Sequence, residues 1–120
     1  MAVSLKFLPE TATSVSDPAI TELNFGNIIR GNSKIVGLKI GNTGDSIAES
    51  VTCSIEGSDE AAAWKTISID NGASWGTTAQ LPDIAATNGI SGVVQIKSTV
   101  PSNATTGQHT TNLRVEYIYV

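Results

Sequence analysis

The side chains that most often carry catalysis are scarce in this chain. Histidine and cysteine occur once each, as His109 and Cys53, and they lie far apart in the sequence. Nucleophilic catalysis needs a nucleophile held beside a base, and zinc sites need three or four protein ligands that are mostly His or Cys. The sequence therefore predicts neither an enzyme nor a zinc protein. It predicts a solvated or turn-bonded His109 and an inert, buried Cys53 thiol.

Calcium is harder to exclude, because carboxylates are its preferred ligands and five acidic residues fall in predicted loops. They are Asp45, Asp59, Glu60, Asp70 and Asp83. None of them shows the alternating Asp and Asn spacing of a dedicated calcium loop. We therefore expect no metal ion and no cofactor.

Four aromatic residues leave two interpretations open. Trp64, Trp75, Tyr117 and Tyr119 either pack in the core and in hairpins or form a platform for a glycan or a protein. Packing is favoured, because a core of this size uses about as many aromatic side chains as the chain contains. The alternative is a glycan site on an exposed loop or sheet face around Trp75 or Tyr119.

The charge pattern narrows the range of partners. The formal net charge is −4, and the seven basic residues are scattered singly along the chain. A nucleic-acid surface needs clustered Lys and Arg, so nucleic acid is not an expected partner. Residues 1–8 interrupt their apolar side chains with Ser4 and Lys6, and no stretch approaches about 18 apolar residues, so we expect neither a signal peptide nor a membrane span.

The elements that position these residues are strands. Apolar and polar side chains alternate with a period of two, which places every second side chain on the same face of a strand. The clearest alternation is in residues 36–40, 51–55, 67–69, 94–96 and 111–120, and shorter alternating runs are residues 3–7 and 23–25. Turn-forming residues separate these segments, as in Gly41-Asn42-Thr43-Gly44 and Asp70-Asn71-Gly72. Residues 59–64 are either one helical turn or a polar loop.

This spacing predicts an all-β protein, an immunoglobulin-like antiparallel β-sandwich of about seven strands. Residues 1–19 are predicted to be an extended N-terminal arm, and residues 20–120 the sandwich. Val3, Leu5 and Phe7 form an apolar stripe on the arm and are the predicted partner-binding residues. Such a stripe can add as a strand to the sheet of a neighbouring protein. The alternative is an additional edge strand on the chain's own sheet.

Two segments resemble a known family. Residues 23–33 contain Phe25-Gly26 and Gly31, and a strand and then Gly41-Asn42-Thr43-Gly44-Asp45 follow them. This series resembles the opening of immunoglobulin-like domains of the ASPM-SPD-2-Hydin and choice-of-anchor type. Residues 99–109, which lead into the last strand, are similar to the end of many bacterial and phage immunoglobulin-like modules. The resemblance implies the sandwich fold and says little about function.

Residues 68–75 resemble a second motif, the Asp-box pattern Ser-x-Asp-x-Gly-x-Ser-Trp known best from sialidase propellers. There the motif forms a structural hairpin and lies outside the catalytic site. The local chemistry explains this, because the carboxylate of Asp70 can accept hydrogen bonds from turn amides and Gly72 can take a positive φ. One copy cannot build a propeller, so we expect a hairpin staple.

The chain begins Met1-Ala2-Val3 and combines an immunoglobulin-like pattern with no export signal and no internal disulfide. This combination is similar to small accessory proteins of tailed-phage virions, which bind capsids or tails and display immunoglobulin-like domains. The resemblance implies a non-enzymatic decoration protein on the virion surface, made in the host cytoplasm. Its partner would be the lattice of a major capsid or tail protein, with homo-oligomeric contacts. The alternatives are a carbohydrate-binding or adhesion module and a cytoplasmic scaffold domain that recruits a protein.

Overall fold

The computed structural model of the chain describes residues 2–119, the side chain of Tyr119 excepted. Its strands are β1 (Leu5–Pro9), β2 (Ser33–Asn42), β3 (Ala48–Glu56), β4 (Lys65–Ser68), β5 (Thr78–Gln80), β6 (Gly89–Ile90), β7 (Val94–Thr99) and β8 (Asn112–Tyr119). The helical structure in these residues is one 3₁₀ helix, Glu60–Trp64. The predicted all-β class is confirmed.

The strands form two antiparallel sheets. The five-stranded sheet has the order β1-β2-β7-β4, and β6 pairs with the end of β2 beyond β7. The three-stranded sheet has the order β5-β3-β8. Buried side chains of both sheets share one core, which is compatible with a β-sandwich: Leu38, Ile40, Ala48, Val51, Cys53, Ile67, Leu81, Ile84, Val94 and Ile96.

The period-two pattern places side chains as predicted in the central strands. In β2, Leu38 and Ile40 are buried, whereas Ile35, of opposite parity, is exposed. Burying one such side chain completely contributes about 1.5–3 kcal/mol. In β8, Leu113 and Val115 pack against the core, while Arg114 is exposed.

The prediction of a strand at residues 23–25 is wrong. Leu23 and Phe25 do pack against the core with exposed Asn24 between them, so the alternation is real. No strand of residues 2–119 pairs with them to complete a hydrogen-bonded ladder, and the side-chain oxygen of Asn24 instead accepts a hydrogen bond from Gly26 N at 2.8 Å. Gly26 has φ +69°, which turns the chain away. An apolar pattern reports burial, and a strand also needs a partner.

The N-terminal stretch belongs to the five-stranded sheet. β1 pairs with β2 from Leu5↔Asn42 to Pro9↔Leu38, and residues 10–17 fold over the outer face. There Leu8, which is 0% exposed, packs with Ala12 and Val15 in a second buried cluster.

The turn after β2 is organised by one buried side chain, that of Asn42, which is 0% exposed. Its Nδ2 donates to Ser46 O at 2.9 Å and to Ile84 O at 3.3 Å. Its Oδ1 accepts from Gly44 N at 3.0 Å and from Ser4 N at 3.3 Å. Asn42 therefore ties the turn to the N-terminal stretch and to the segment before β6.

Gly44 has no room for a side chain. A Cβ there would lie 2.2 Å from the carbonyl oxygen of Ala2 and 2.7 Å from the amide of Ser4. The Asn-Thr-Gly turn is therefore fitted to the N-terminal backbone that crosses it.

Candidate functional site

The predicted partner-binding residues lie at one edge of the molecule. Val3, Leu5 and Phe7 are half-buried, and their side chains pack against the shared core. The sequence left open whether this stripe joins a neighbour's sheet or the chain's own sheet. In the structure it lies at the edge of the chain's own five-stranded sheet. Binding of a partner through these residues stays a prediction.

The backbone of β1 shows which groups remain free for a partner. Ser4 O accepts from Thr43 N at 2.9 Å, whereas Phe7 O faces away from β2 and accepts from Ile20 N at 2.9 Å. Backbone groups alternate in direction along a strand, so Val3 and Leu5, like Phe7, direct their N–H and C=O groups to the outer side. The nitrogen of Pro9 also faces the outer side, so its missing N–H removes no hydrogen bond between β1 and β2.

The Asp-box segment forms the predicted staple between β4 and the chain after it. Asp70 accepts hydrogen bonds from the Ser68 hydroxyl at 2.7 Å, from Ser74 N at 3.0 Å and from the Ser74 hydroxyl. These bonds lower the pKa of Asp70 to about 2, the Ser74 hydroxyl contributing most. Gly72 has φ +89°. The carboxylate is therefore occupied in holding the loop closed.

Among the described side chains, Trp64 lies at the end of the 3₁₀ helix, Trp75 in the Asp-box segment and Tyr117 on β8, and no ring contact joins these three residues. The half-buried Trp75 ring has Lys97 Nζ 4.4 Å from its centroid and lines a shallow depression of about 230 Å³ together with exposed Ile69. Trp64 packs edge-on against His109 with ring centroids 4.8 Å apart. Tyr117 is 40% exposed on β8, and the side chain of Tyr119 lies outside the described residues.

His109 ties the loop before β8 to the 3₁₀ helix. Its Nδ1 lies 2.7 Å from Asp59 Oδ1, and its Nε2 lies 2.7 Å from Thr105 O. Asp59 also caps the helix by accepting from Ala61 N at 2.8 Å. The Thr105 carbonyl and the Asp59 carboxylate raise the pKa of His109, and the Ala61 amide and His109 lower that of Asp59. His109 is thus turn-bonded, as predicted.

Lys65, which the sequence did not single out, is the buried cation of this region. It is 8% exposed, its Nζ lies 5.3 Å from the centroid of Phe25, and it donates to Ala61 O at 3.4 Å. Burial lowers the pKa of Lys65, and the Asp59 charge opposes this. Lys65, Phe25 and His109 line an open groove of about 970 Å³ between the two sheets. No spacing rule marks a lysine at the start of a strand as buried.

The thiol of Cys53 and the acidic side chains form no further candidate site in residues 2–119. Cys53 is 0% exposed, and burial raises the pKa of its thiol to about 11, which suppresses the reactive thiolate. Among residues 2–119, no three His, Cys, Asp or Glu side chains come together in a way that would hold a metal ion. Within the same residues, no helix has the length and apolar character to span a membrane.

The His109–Asp59 pair predicts a pH-dependent stability. The folded pKa of His109 is raised, so its contribution is fully present below the unfolded value of 6.5 and is lost as pH rises through the folded pKa. The folded pKa of Asp59 is lowered, so its contribution is present above 3.8 and is lost as pH falls through the folded pKa. We expect His109→Gln to lower the Tm most between these two values.

Thermal unfolding of wild type and His109→Gln across pH checks this. The difference in Tm should shrink toward alkaline pH, where wild-type His109 is neutral. His109 is the chain's single histidine, so the pH-dependent difference reports on this side chain. A difference that stays constant across pH would assign His109 a packing role against Trp64 instead.

The chain matches no protein-family model, no curated protein and no solved structure.

Proposed function

We propose that this chain is a non-enzymatic accessory protein of a phage virion, a decoration protein that binds a capsid or tail lattice and displays an immunoglobulin-like sandwich. The two antiparallel sheets and their shared core support the sandwich. The scarcity of catalytic side chains and the burial of Cys53 support a binding role. The protein acts at the virion surface after synthesis in the host cytoplasm.

The observation that carries the proposal is the part of the outer edge at Val3 and Leu5, which precedes the bond between Phe7 O and Ile20 N. Within residues 2–119, the outward N–H and C=O groups of Val3 and Leu5 make no backbone hydrogen bond, and the side chains of both residues are apolar and half-buried. A strand of the shell protein can pair with this edge and complete the burial of the stripe. Individually weak contacts suffice when they are repeated over a lattice, and contacts between neighbouring copies add to them.

Leu5→Pro tests the edge with a matched control, Leu5→Ala. Proline removes the outward N–H of residue 5 without removing a bond between β1 and β2, whereas alanine keeps that N–H. Both variants lose the leucine packing. We expect Leu5→Pro to bind undecorated particles roughly tenfold more weakly than Leu5→Ala, as measured by co-sedimentation and quantitative gel analysis.

Circular dichroism and thermal unfolding establish that both variants are folded. Equal occupancy for the two folded variants would remove β1 as the binding edge. Absence of wild-type protein from purified virions of the phage that encodes it would remove the virion proposal altogether.

One observation favours a second candidate, a carbohydrate-binding module. The half-exposed Trp75 ring borders the 230 Å³ depression, and aromatic rings beside shallow depressions can stack on sugars. A glycan array with wild type and Trp75→Ala tests it. Hits that vanish in the variant support this candidate, and an array without hits removes it.

A further inference from the structure

The outer edge of β8 is a second free strand edge, on the opposite sheet from β1. β8 pairs with β3 over Asn112–Tyr119, and it is the terminal strand of the order β5-β3-β8. No backbone hydrogen bond within residues 2–119 joins this outer edge to another segment. An eight-residue unpaired edge is a template for another strand.

The pairing of β3 with its two neighbours shows which backbone N–H and C=O groups of β8 point away from β3. Val51 O accepts from Leu81 N at 2.8 Å on the β5 side, so Cys53 also faces β5 and Thr52 and Ser54 face β8. Ser54 is paired with Arg114, and Thr52 with Glu116. Arg114 and Glu116 therefore bond inward to β3, and the alternate residues Leu113, Val115 and Tyr117 direct their N–H and C=O groups outward.

This alternation limits how β8 can pair with a second copy of itself. In an antiparallel pair about a two-fold axis, a residue whose backbone N–H and C=O groups point outward must lie opposite a residue of the same kind in the other copy. An axis at Arg114 would place Arg114 opposite its own copy, and an axis at Glu116 would place two Glu116 carboxylates together. An axis at Val115 instead places Arg114 of each copy opposite Glu116 of the other, so that two pairs of opposite charge form.

The Val115 register is also favoured by its apolar contacts. It pairs Leu113 with Tyr117 of the other copy on the inner face, where Tyr117 is 40% exposed in the single chain. Ile118, which is 60% exposed on the outer face, would lie opposite Asn112 of the other copy in this register. On the opposite, outer face, Arg114 is already held by Glu56 at 2.7 Å and by Glu116 of its own chain at 3.2 Å.

We propose that two copies of this chain associate through antiparallel pairing of their β8 edges, with Val115 on the two-fold axis and Arg114 opposite Glu116. The two three-stranded sheets then become one continuous six-stranded sheet. The inference specifies the contacts between copies in the proposed function, and it is tested on the isolated protein, so its failure is distinct from failure of shell binding.

Charge reversal tests both the association and its register. In the homodimer of Arg114→Glu, carboxylates face each other at both pairs, and in that of Glu116→Arg, guanidinium groups do. We expect each variant to dimerise about tenfold more weakly than wild type, as measured by sedimentation velocity across a concentration series. A mixture of the two variants restores Arg opposite Glu at both pairs, so the mixed dimer should recover an affinity near that of wild type.

Lys34→Glu is the control, because it makes the same charge change on exposed β2 surface in the other sheet. It should dimerise like wild type, and circular dichroism shows whether every variant is folded. Wild type that stays monomeric up to about 1 mM would overturn the proposal. Single variants that dimerise like wild type, or a mixture that gains nothing, would overturn the Val115 register.

Discussion

Replacing Asn42 with aspartate is expected to lower the free energy of unfolding by roughly 3–5 kcal/mol at neutral pH. The side chain is fully buried, and its Nδ2 donates to the carbonyl oxygens of Ser46 and Ile84. An aspartate would place a carboxylate oxygen against both carbonyls, and among residues 2–119 the hydrogen bonds of the Asn42 side chain are all made with backbone groups. The substitution changes hardly any volume, so the loss reports hydrogen bonding and charge.

The same variant should respond to pH in a defined direction. Burial beside carbonyl oxygens would raise the folded pKa of the new carboxyl above its unfolded value of about 3.9. The folded state would then bind more protons, so the deficit grows as pH rises through this range and shrinks in acid. Urea unfolding of wild type and Asn42→Asp at neutral and acidic pH measures both effects.

Asn103→Asp is the matched control, because Asn103 is exposed. It should change the free energy of unfolding by no more than about 0.5 kcal/mol. A similarly small effect for Asn42→Asp would show that the turn after β2 does not depend on the buried amide.

Leu8→Ala is expected to cost roughly 2–5 kcal/mol of stability. Leu8 is 0% exposed and packs with Ala12 and Val15 on the outer face of the five-stranded sheet. Removing three carbons there loses apolar burial and leaves a cavity under residues 10–17. Equilibrium denaturation in urea measures the loss.

Ile29→Ala provides the comparison, because Ile29 is 76% exposed and should tolerate truncation with little change. If Leu8→Ala were as mild as Ile29→Ala, residues 1–19 would behave as a separable arm. A loss of several kcal/mol would make them an integral part of the sheet.

The fold class was readable from the sequence because strand burial has a simple period. Val36, Leu38 and Ile40 alternate in the sequence, and Leu38 and Ile40 are buried in the structure. The Asp-box staple was equally readable, because all of its hydrogen bonds form within residues 68–74. The helical turn at residues 60–64 remained one of two alternatives, since so short a segment has little intrinsic preference.

Long-range pairing could not be predicted in the same way. Nothing local in residues 3–7 decides between a neighbour's sheet and the chain's own, because both bury the same face. Residues 23–25 show the pattern of a strand without a partner. The contact of Lys65 with Phe25 joins residues forty positions apart, and a single sequence carries no signal for such a pair.

The pairing of β8 with β3 also bears on the order in which the molecule can fold. Glu56 and Arg114, which form an ion pair across these strands, are 58 positions apart. Until residue 112 and those after it have emerged from the ribosome, β3 has beside it the three-residue β5 and the residues that follow it up to Ile84. Closing so long a loop is entropically costly and slow, so we expect much of the core to stay uncovered during translation and the two sheets to close over it late.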